Sequence, residues 1–306
     1  MYTSELQRVL HWAVRIEDPT ALRSIVDVAR AVTPRISFKI AKEADGGYCM
    51  SADGTDPHMG CTVKASLYLD AQCVRTDTTG DVAMDGEEPI LFYVDCNVIA
   101  AFMDSSNLQC MSLELGGWRD STRMSMRMWD PQQPSQETRI SPQTYEVPLN
   151  RALNPMEFDM IIEFDVSTLR DFLKKAGKFH AEDVQVEVYV RKIHGQEQSM
   201  VRLVGTGETP FELCCCNETL RCDDGILQVR AANDYEGEHG IFAPLPEHLV
   251  CSNTFPLGYM TNFVRTAAVR MLPARVKTGL PIMFEYTLGD TRSNIRLFIA
   301  PRETDA

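Results

Sequence analysis

Six histidines, at 11, 58, 180, 194, 239 and 248, form no H-E-x-x-H spacing, and no G-x-S-x-G, P-loop or G-x-G-x-x-G run occurs. Hydrolytic, nucleotide-cradling and dinucleotide-binding chemistry therefore lack their usual residues. Gly205-Thr206-Gly207 is an isolated G-x-G, expected as a turn. Glu236-Gly237-Glu238-His239 has the donor types of a metal site but the composition of a polar loop. Ten cysteines, at 49, 61, 73, 96, 110, 214, 215, 216, 222 and 251, include no C-x-x-C pair. They are expected as reduced, mostly buried thiols of an intracellular protein. No catalytic residue, metal or cofactor is expected.

The residues that could bind something are basic. Residues 167–179 have helical spacing, with Leu169, Phe172, Leu173 and Ala176 on one face and Arg170, Lys174, Lys175 and Lys178 on the other. Such a row is either a solvated helix face or a surface that neutralises phosphates without reading bases. The net charge of −13, from 43 acidic and 30 basic side chains, means that any contact with nucleic acid must be local. Other helices offer less: Arg23 and Arg30 in residues 20–32, Arg265 and Arg270 in 257–270, and none in 97–106.

The elements that must hold these residues repeat. Leu22-Arg23-Ser24-Ile25-Val26-Asp27-Val28-Ala29 shares the pattern L-R-x-Φ-Φ-x-x-A with Leu169-Arg170-Asp171-Phe172-Leu173-Lys174-Lys175-Ala176, almost half a chain later. Asp18 is the expected N-cap of the first helix, with Pro19 at its first position, and Asp165 or Ser167 caps the second. Short alternating runs at 36–40, 65–69, 90–94, 111–115, 124–129, 160–164, 184–190, 200–204, 211–215 and 226–229 read as strands. Many strands and about four helices point to an α+β fold rich in antiparallel sheet. The polar, proline-bearing segment 130–137 cannot continue a central strand. Two domains are expected, 1–137 and 158–306, joined by a connector at 138–157. No basic leader followed by an apolar run, and no apolar stretch of membrane-spanning length, is present, so a soluble, non-secreted protein is expected.

Near the carboxyl end stand F-P-L-G-Y-M-x-x-F-V-R (255–265), L-P-I-M-F-E-Y (280–286) and L-F-I-A-P-R (297–302). Together they resemble the carboxyl-terminal end of the proliferating cell nuclear antigen family, the DNA sliding clamps. Residues 52–58 resemble the family's A-M-D-x-S-H segment, with a longer spacing to the next strand, and the loops at 75–89 and 194–198 are enlarged. The resemblance implies a divergent clamp, of a large DNA virus or an unusual eukaryote. It implies a ring-forming trimer of two similar domains, each with antiparallel sheets outside and two helices inside. The strand 122–129 of one copy would pair with 211–217 of the next. Double-stranded DNA would be met without sequence preference by Arg23, Arg30, Arg170, Lys174, Lys175, Lys178 and Arg265. Polymerase, clamp loader and other carriers of a clamp-binding peptide would dock on Leu153, Pro155, Pro281, Phe298, Ala300 and Pro301. The implied setting is the nucleus or a viral replication compartment. The alternative is a clamp-fold scaffold, or one subunit of a heterotrimeric checkpoint-type clamp, without a processivity role.

Overall fold

The computed structural model describes residues 12–58, 60–76, 89–104, 111–117, 122–145, 156–193, 196–221, 227–231, 248–289 and 292–302. The chain divides into two compact units. One comprises residues 1–54, 63–151 and 287–295, the other 55–62, 152–286 and 296–306. To within two residues at strand ends, the first unit holds β1 (Trp12–Ile16), α1 (Pro19–Arg30), β2 (Arg35–Lys42), β3 (Tyr48–Thr55), β4 (Cys61–Leu69), β5 (Val74–Thr76), β6 (Ile90–Asp95), α2 (Cys96–Met103), β7 (Ser112–Gly117), β8 (Met124–Asp130) and β9 (Gln133–Ile140). The second holds β10 (Met160–Asp165), α3 (Val166–Lys178), β11 (Asp183–Ile193), β12 (Gln196–Thr206), β13 (Phe211–Arg221), β14 (Leu227–Ala231), β15 (Leu249–Pro256), α4 (Leu257–Thr266), β16 (Met271–Val276), β17 (Ile282–Thr287) and β18 (Asn294–Ile299).

The two units carry the same order of strands and helices. Pairing repeats as well: β5-β1-β7-β8-β9 and β4-β3-β2-β6 in the first unit become β14-β10-β16-β17-β18 and β13-β12-β11-β15 in the second. One ladder differs in direction, since β5 lies antiparallel to β1 whereas β14 runs parallel to β10. The resemblance between residues 22–29 and 169–176 therefore belongs to a duplicated α+β architecture.

Local chemistry explains the elements. Cys61–Leu69 alternates buried and half-buried residues along its whole length, as a pleated strand with one face on a core must. In α1 the Asp18 carboxylate accepts the Thr20 N–H at 3.0 Å, Pro19 occupies the first turn without losing a bond, and Leu22, Ile25, Val26 and Ala29 are buried at helical spacing. Trp12, Phe38 and Phe92 stack in the first core. Phe164, Phe263, Phe284 and Tyr286 cluster in the second. The fourth helix is shorter than the expected 257–270: Ala267 is already extended, and the Thr266 hydroxyl turns back to donate to the Phe263 carbonyl.

One expectation is narrowed and another needs correction. Residues 130–137 do not continue a central strand, but they open an edge strand: Asp130 begins a tight turn and β9 returns antiparallel along β8, from Asp130↔Gln133 to Met126↔Ile140. The strand 122–129 is consequently not a free edge, because β9 covers it. Pro134 is tolerated because it falls between Gln133 and Glu137, where the register shifts and β9 has no ladder partner on β8. The chain then stays on the first unit: Tyr145 donates its N–H to the Tyr93 carbonyl at 2.9 Å, and the Arg35 guanidinium lies 3.7 Å from the centre of the Tyr145 ring.

Six cysteines have described side chains, and all six are thiols outside any disulfide. Cys61, Cys73, Cys96 and Cys251 are buried, Cys49 is half-buried and Cys214 is exposed. Burial pushes the Cys61 thiol far up and that of Cys96 to about 12. Among the described residues no helix is long and apolar enough to cross a membrane.

Candidate nucleic-acid interface

Helix α3 is built to hold its polar face still. Asp165 caps it, accepting the Thr168 N–H at 2.8 Å and the Ser167 hydroxyl, and those bonds, Ser167 first, hold its carboxyl below the usual aspartate value. Of the two expected caps, Asp165 is the one used. Leu169, Phe172, Leu173 and Ala176 are buried, while Arg170, Asp171, Lys174, Lys175 and Lys178 are exposed. The helix stops in a Schellman motif: Ala181 N–H bonds the Ala176 carbonyl and His180 N–H the Gly177 carbonyl. Its left-handed position is taken by His180, with φ of 59°, instead of the glycine usual there.

The isolated G-x-G is the seat of this helix end. A Cβ on Gly205 would come within 2.9 Å of the Ala176 Cβ, and one on Gly207 within 2.9 Å of the His180 carbonyl oxygen. Gly205 lies inside β12 and not in the expected turn; both glycines are there so that α3 can approach the strand.

Arg170 turns out to be a joint. Its guanidinium donates to the Val264 carbonyl at 3.1 Å, near the carboxyl end of α4, and lies 3.5 Å from the Ala267 carbonyl. Arg23, its counterpart in the repeat, donates to the Ala100 carbonyl of α2 at 2.7 Å. One arginine in each unit thus satisfies carbonyls near the end of the neighbouring helix, where the helix dipole also favours a cation.

Beyond that joint the units differ in charge. Arg23, with only 17% of its side chain exposed, pairs with Asp27 at 2.8 Å and Asp104 at 2.7 Å. Arg30 pairs with Asp27 at 3.3 Å. The exposed residues of α2, Asn97, Val98 and Ala101, carry no charge. On α3, by contrast, Lys174, Lys175 and Lys178 have no ion pair among the described residues, and Arg265 on α4 is likewise exposed and unpaired.

The proposed peptide surface is partly in view. Pro281, Phe298, Ala300 and Pro301 are all half-buried; Leu153 and Pro155 lie outside the described residues. The tail is pinned on both sides: Ala300 N–H donates to the Gly60 carbonyl at 2.9 Å, Arg302 N–H to the Thr254 carbonyl at 2.8 Å, and the Arg302 side chain meets Asp183 at 3.0 Å. Gly60 belongs to a turn organised by buried Asp56, which accepts the His58 and Gly60 N–H groups at 3.2 Å each. Burial, followed by the bond to Asp56, raises the Tyr259 phenol to about 12, so it stays protonated and donates to Asp56.

No family model and no curated protein matches the sequence. Solved structures do. Proliferating cell nuclear antigen (PCNA) from Entamoeba histolytica aligns over 96% of this chain and 100% of its own, with 12% identity and a TM-score of 0.64. PCNA from Thermococcus kodakaraensis aligns over 95% and 100%, with 12% identity and a TM-score of 0.65. A chain of the PCNA2–PCNA3 complex from Sulfolobus tokodaii aligns over 95% and 99%, with 13% identity and a TM-score of 0.61.

The chain has the fold of the PCNA sliding clamps. On that clamp fold the seven basic residues of interest separate into two joints (Arg23 and Arg170), one locally paired arginine (Arg30) and four cations with no ion pair among the described residues (Lys174, Lys175, Lys178 and Arg265). Asp27, Asp104 and the Asp56–Tyr259 turn were not anticipated. Asp27 was legible, because it stands four residues after Arg23; Asp104 was not, because its partner is 81 positions away in the sequence.

Proposed function

We propose that the protein is a DNA sliding clamp, a ring of copies of this chain that encircles duplex DNA and tethers polymerases and other partners to it. The observation that carries this is the lysine row of α3, without an ion pair among the described residues, on a duplicated clamp fold in a chain of net charge −13. Cations placed locally in an acidic molecule contact phosphate without fixing sequence, so contacts can break and reform as the ring moves. Ring closure needs two unlike edges. Among the described residues β9 has no partner beyond β8, and residues 211–218 of β13 have none on the side where β14 pairs only from Thr219 to Arg221. Beside the second edge Phe179, 43% exposed, stacks on Phe211, an apolar surface suited to burial under a neighbouring copy. Head-to-tail pairing of β9 with β13 closes a ring when the rotation closes, and three copies is the proposed number. The surface around Phe298, Ala300 and Pro301 is proposed to receive the partner peptide of a polymerase or clamp loader, in a nucleus or a viral replication compartment.

A second arrangement has one specific support: the Sulfolobus tokodaii match is a complex of two different clamp chains. In that arrangement β9 and β13 meet a different chain. Light scattering over a concentration series distinguishes the two. A mass of about three times 34.4 kDa supports self-closure. A persistent monomer sinks the homomeric ring and directs the search to partner chains. Retention on circular but not linear DNA after loading then tests encirclement itself.

A further inference from the structure

Building on the clamp reading, we infer that duplex DNA is held by the helices of the second unit alone, because Asp27 and Asp104 withdraw the arginines of the first unit from phosphate. Two matched helix pairs make the comparison internal. Arg23 and Arg170 serve the same joint, each reaching carbonyls near the carboxyl end of the neighbouring helix. Within α3 and α4 the surface is surplus cation: Lys174, Lys175, Lys178 and Arg265 against a single carboxylate, Asp171. Around Arg23 it is balanced: Arg23 and Arg30 against Asp27 and Asp104. A phosphate approaching Arg23 would have to displace two carboxylates and a carbonyl already within 2.8 Å, and would meet the charge of both carboxylates as it did so. Position 27 of the first repeat corresponds to Lys174 of the second, so one aligned site carries an acid in one unit and a base in the other. Asp27 and Asp104 are thereby positioning residues: they act on DNA through the arginines they hold, and they set how many phosphates a copy can engage.

The test is direct binding of the full chain to a linear 30-base-pair duplex, followed by fluorescence anisotropy at several salt concentrations. Wild type gives a slope of log K against log salt equal to about −0.9 for each phosphate engaged. Lys174→Ala, Lys175→Ala and Lys178→Ala combined should flatten that slope and weaken binding at least tenfold, whereas Arg30→Ala should leave both within error. Asp104→Asn, at a position 62% exposed, should steepen the slope, and adding Asp27→Asn should steepen it by about one further unit, with urea unfolding checking that both variants stay folded. If Arg30→Ala costs as much as a single lysine change, or both asparagine variants match wild type, the masking is wrong although the clamp reading stands. If wild type shows no salt-dependent binding at all, that reading falls and takes this inference with it.

Discussion

At the scale of single residues, His180 occupies a backbone conformation that a side chain disfavours. The left-handed region costs a residue with a Cβ about 1 kcal/mol, and α3 uses it to complete its terminal hydrogen bonds. His180→Gly should raise stability by about 0.5–1 kcal/mol in urea unfolding, the gain being reduced by the freer unfolded chain of glycine. A less stable variant would show that the imidazole makes contacts worth more than the strain. Asp165 gives a prediction in pH. Its carboxyl is held below its ordinary value in the fold, so its contribution to stability is complete above the unfolded value of about 3.9 and is lost as pH falls through the lower folded value. Asp165→Asn keeps an acceptor at the cap but cannot titrate. The stability difference between wild type and this variant should therefore be flat from pH 7 to about 5 and shift against wild type below about 4. A difference that stays flat to pH 3 would mean that the carboxylate is not held by its cap bonds.

At the scale of elements, the placement of α3 against β12 depends on the missing side chain of Gly205. Gly205→Leu puts four carbons where Ala176 already stands and should cost about 1–3 kcal/mol, with faster amide exchange across α3 than across α1. Uniform loss of protection in both helices would instead indicate global destabilisation. The two long amphipathic helices were legible, because cap, Pro19 and apolar spacing agree. So were strands such as β4 and β10, whose alternation is complete. The strand β9 was not. Its residues are polar and include a proline, a composition shared by linkers and edge strands, and only the turn at 131–132 and the partner strand decide between them. The joints made by Arg23 and Arg170 were hidden for a different reason. A helical arginine on a polar face reads as a free cation until the neighbouring helix is in place, and each acceptor carbonyl lies more than 75 residues away along the chain.

At the scale of the whole molecule, the candidate functions can be removed separately. Replacing Lys174, Lys175 and Lys178 with alanine should lower polymerase stimulation by an order of magnitude or more while leaving the solution mass unchanged, since counterion release scales with the phosphates contacted. Full stimulation would exclude α3 as the DNA surface. Pro301→Glu places a charge on the half-buried tail and should abolish binding of a clamp-binding peptide in calorimetry, without changing duplex affinity. Retained peptide affinity would move the docking surface elsewhere. The architecture was legible because three short carboxyl-terminal motifs survive where overall identity to solved clamps is 12%. The asymmetry between the units was less so, because a charge count per helix does not show which charges are already paired. The buried thiols have a consequence for measurement. Cys73 and Cys96 lie in the first unit and Cys61 and Cys251 in the second, all protected by burial and kept protonated by it, whereas Cys214 is open to solvent. The native chain therefore carries its own clock: with a thiol-specific reagent the separate rates at Cys96 and Cys251 tell whether one unit opens while the other remains folded, with no label engineered into either.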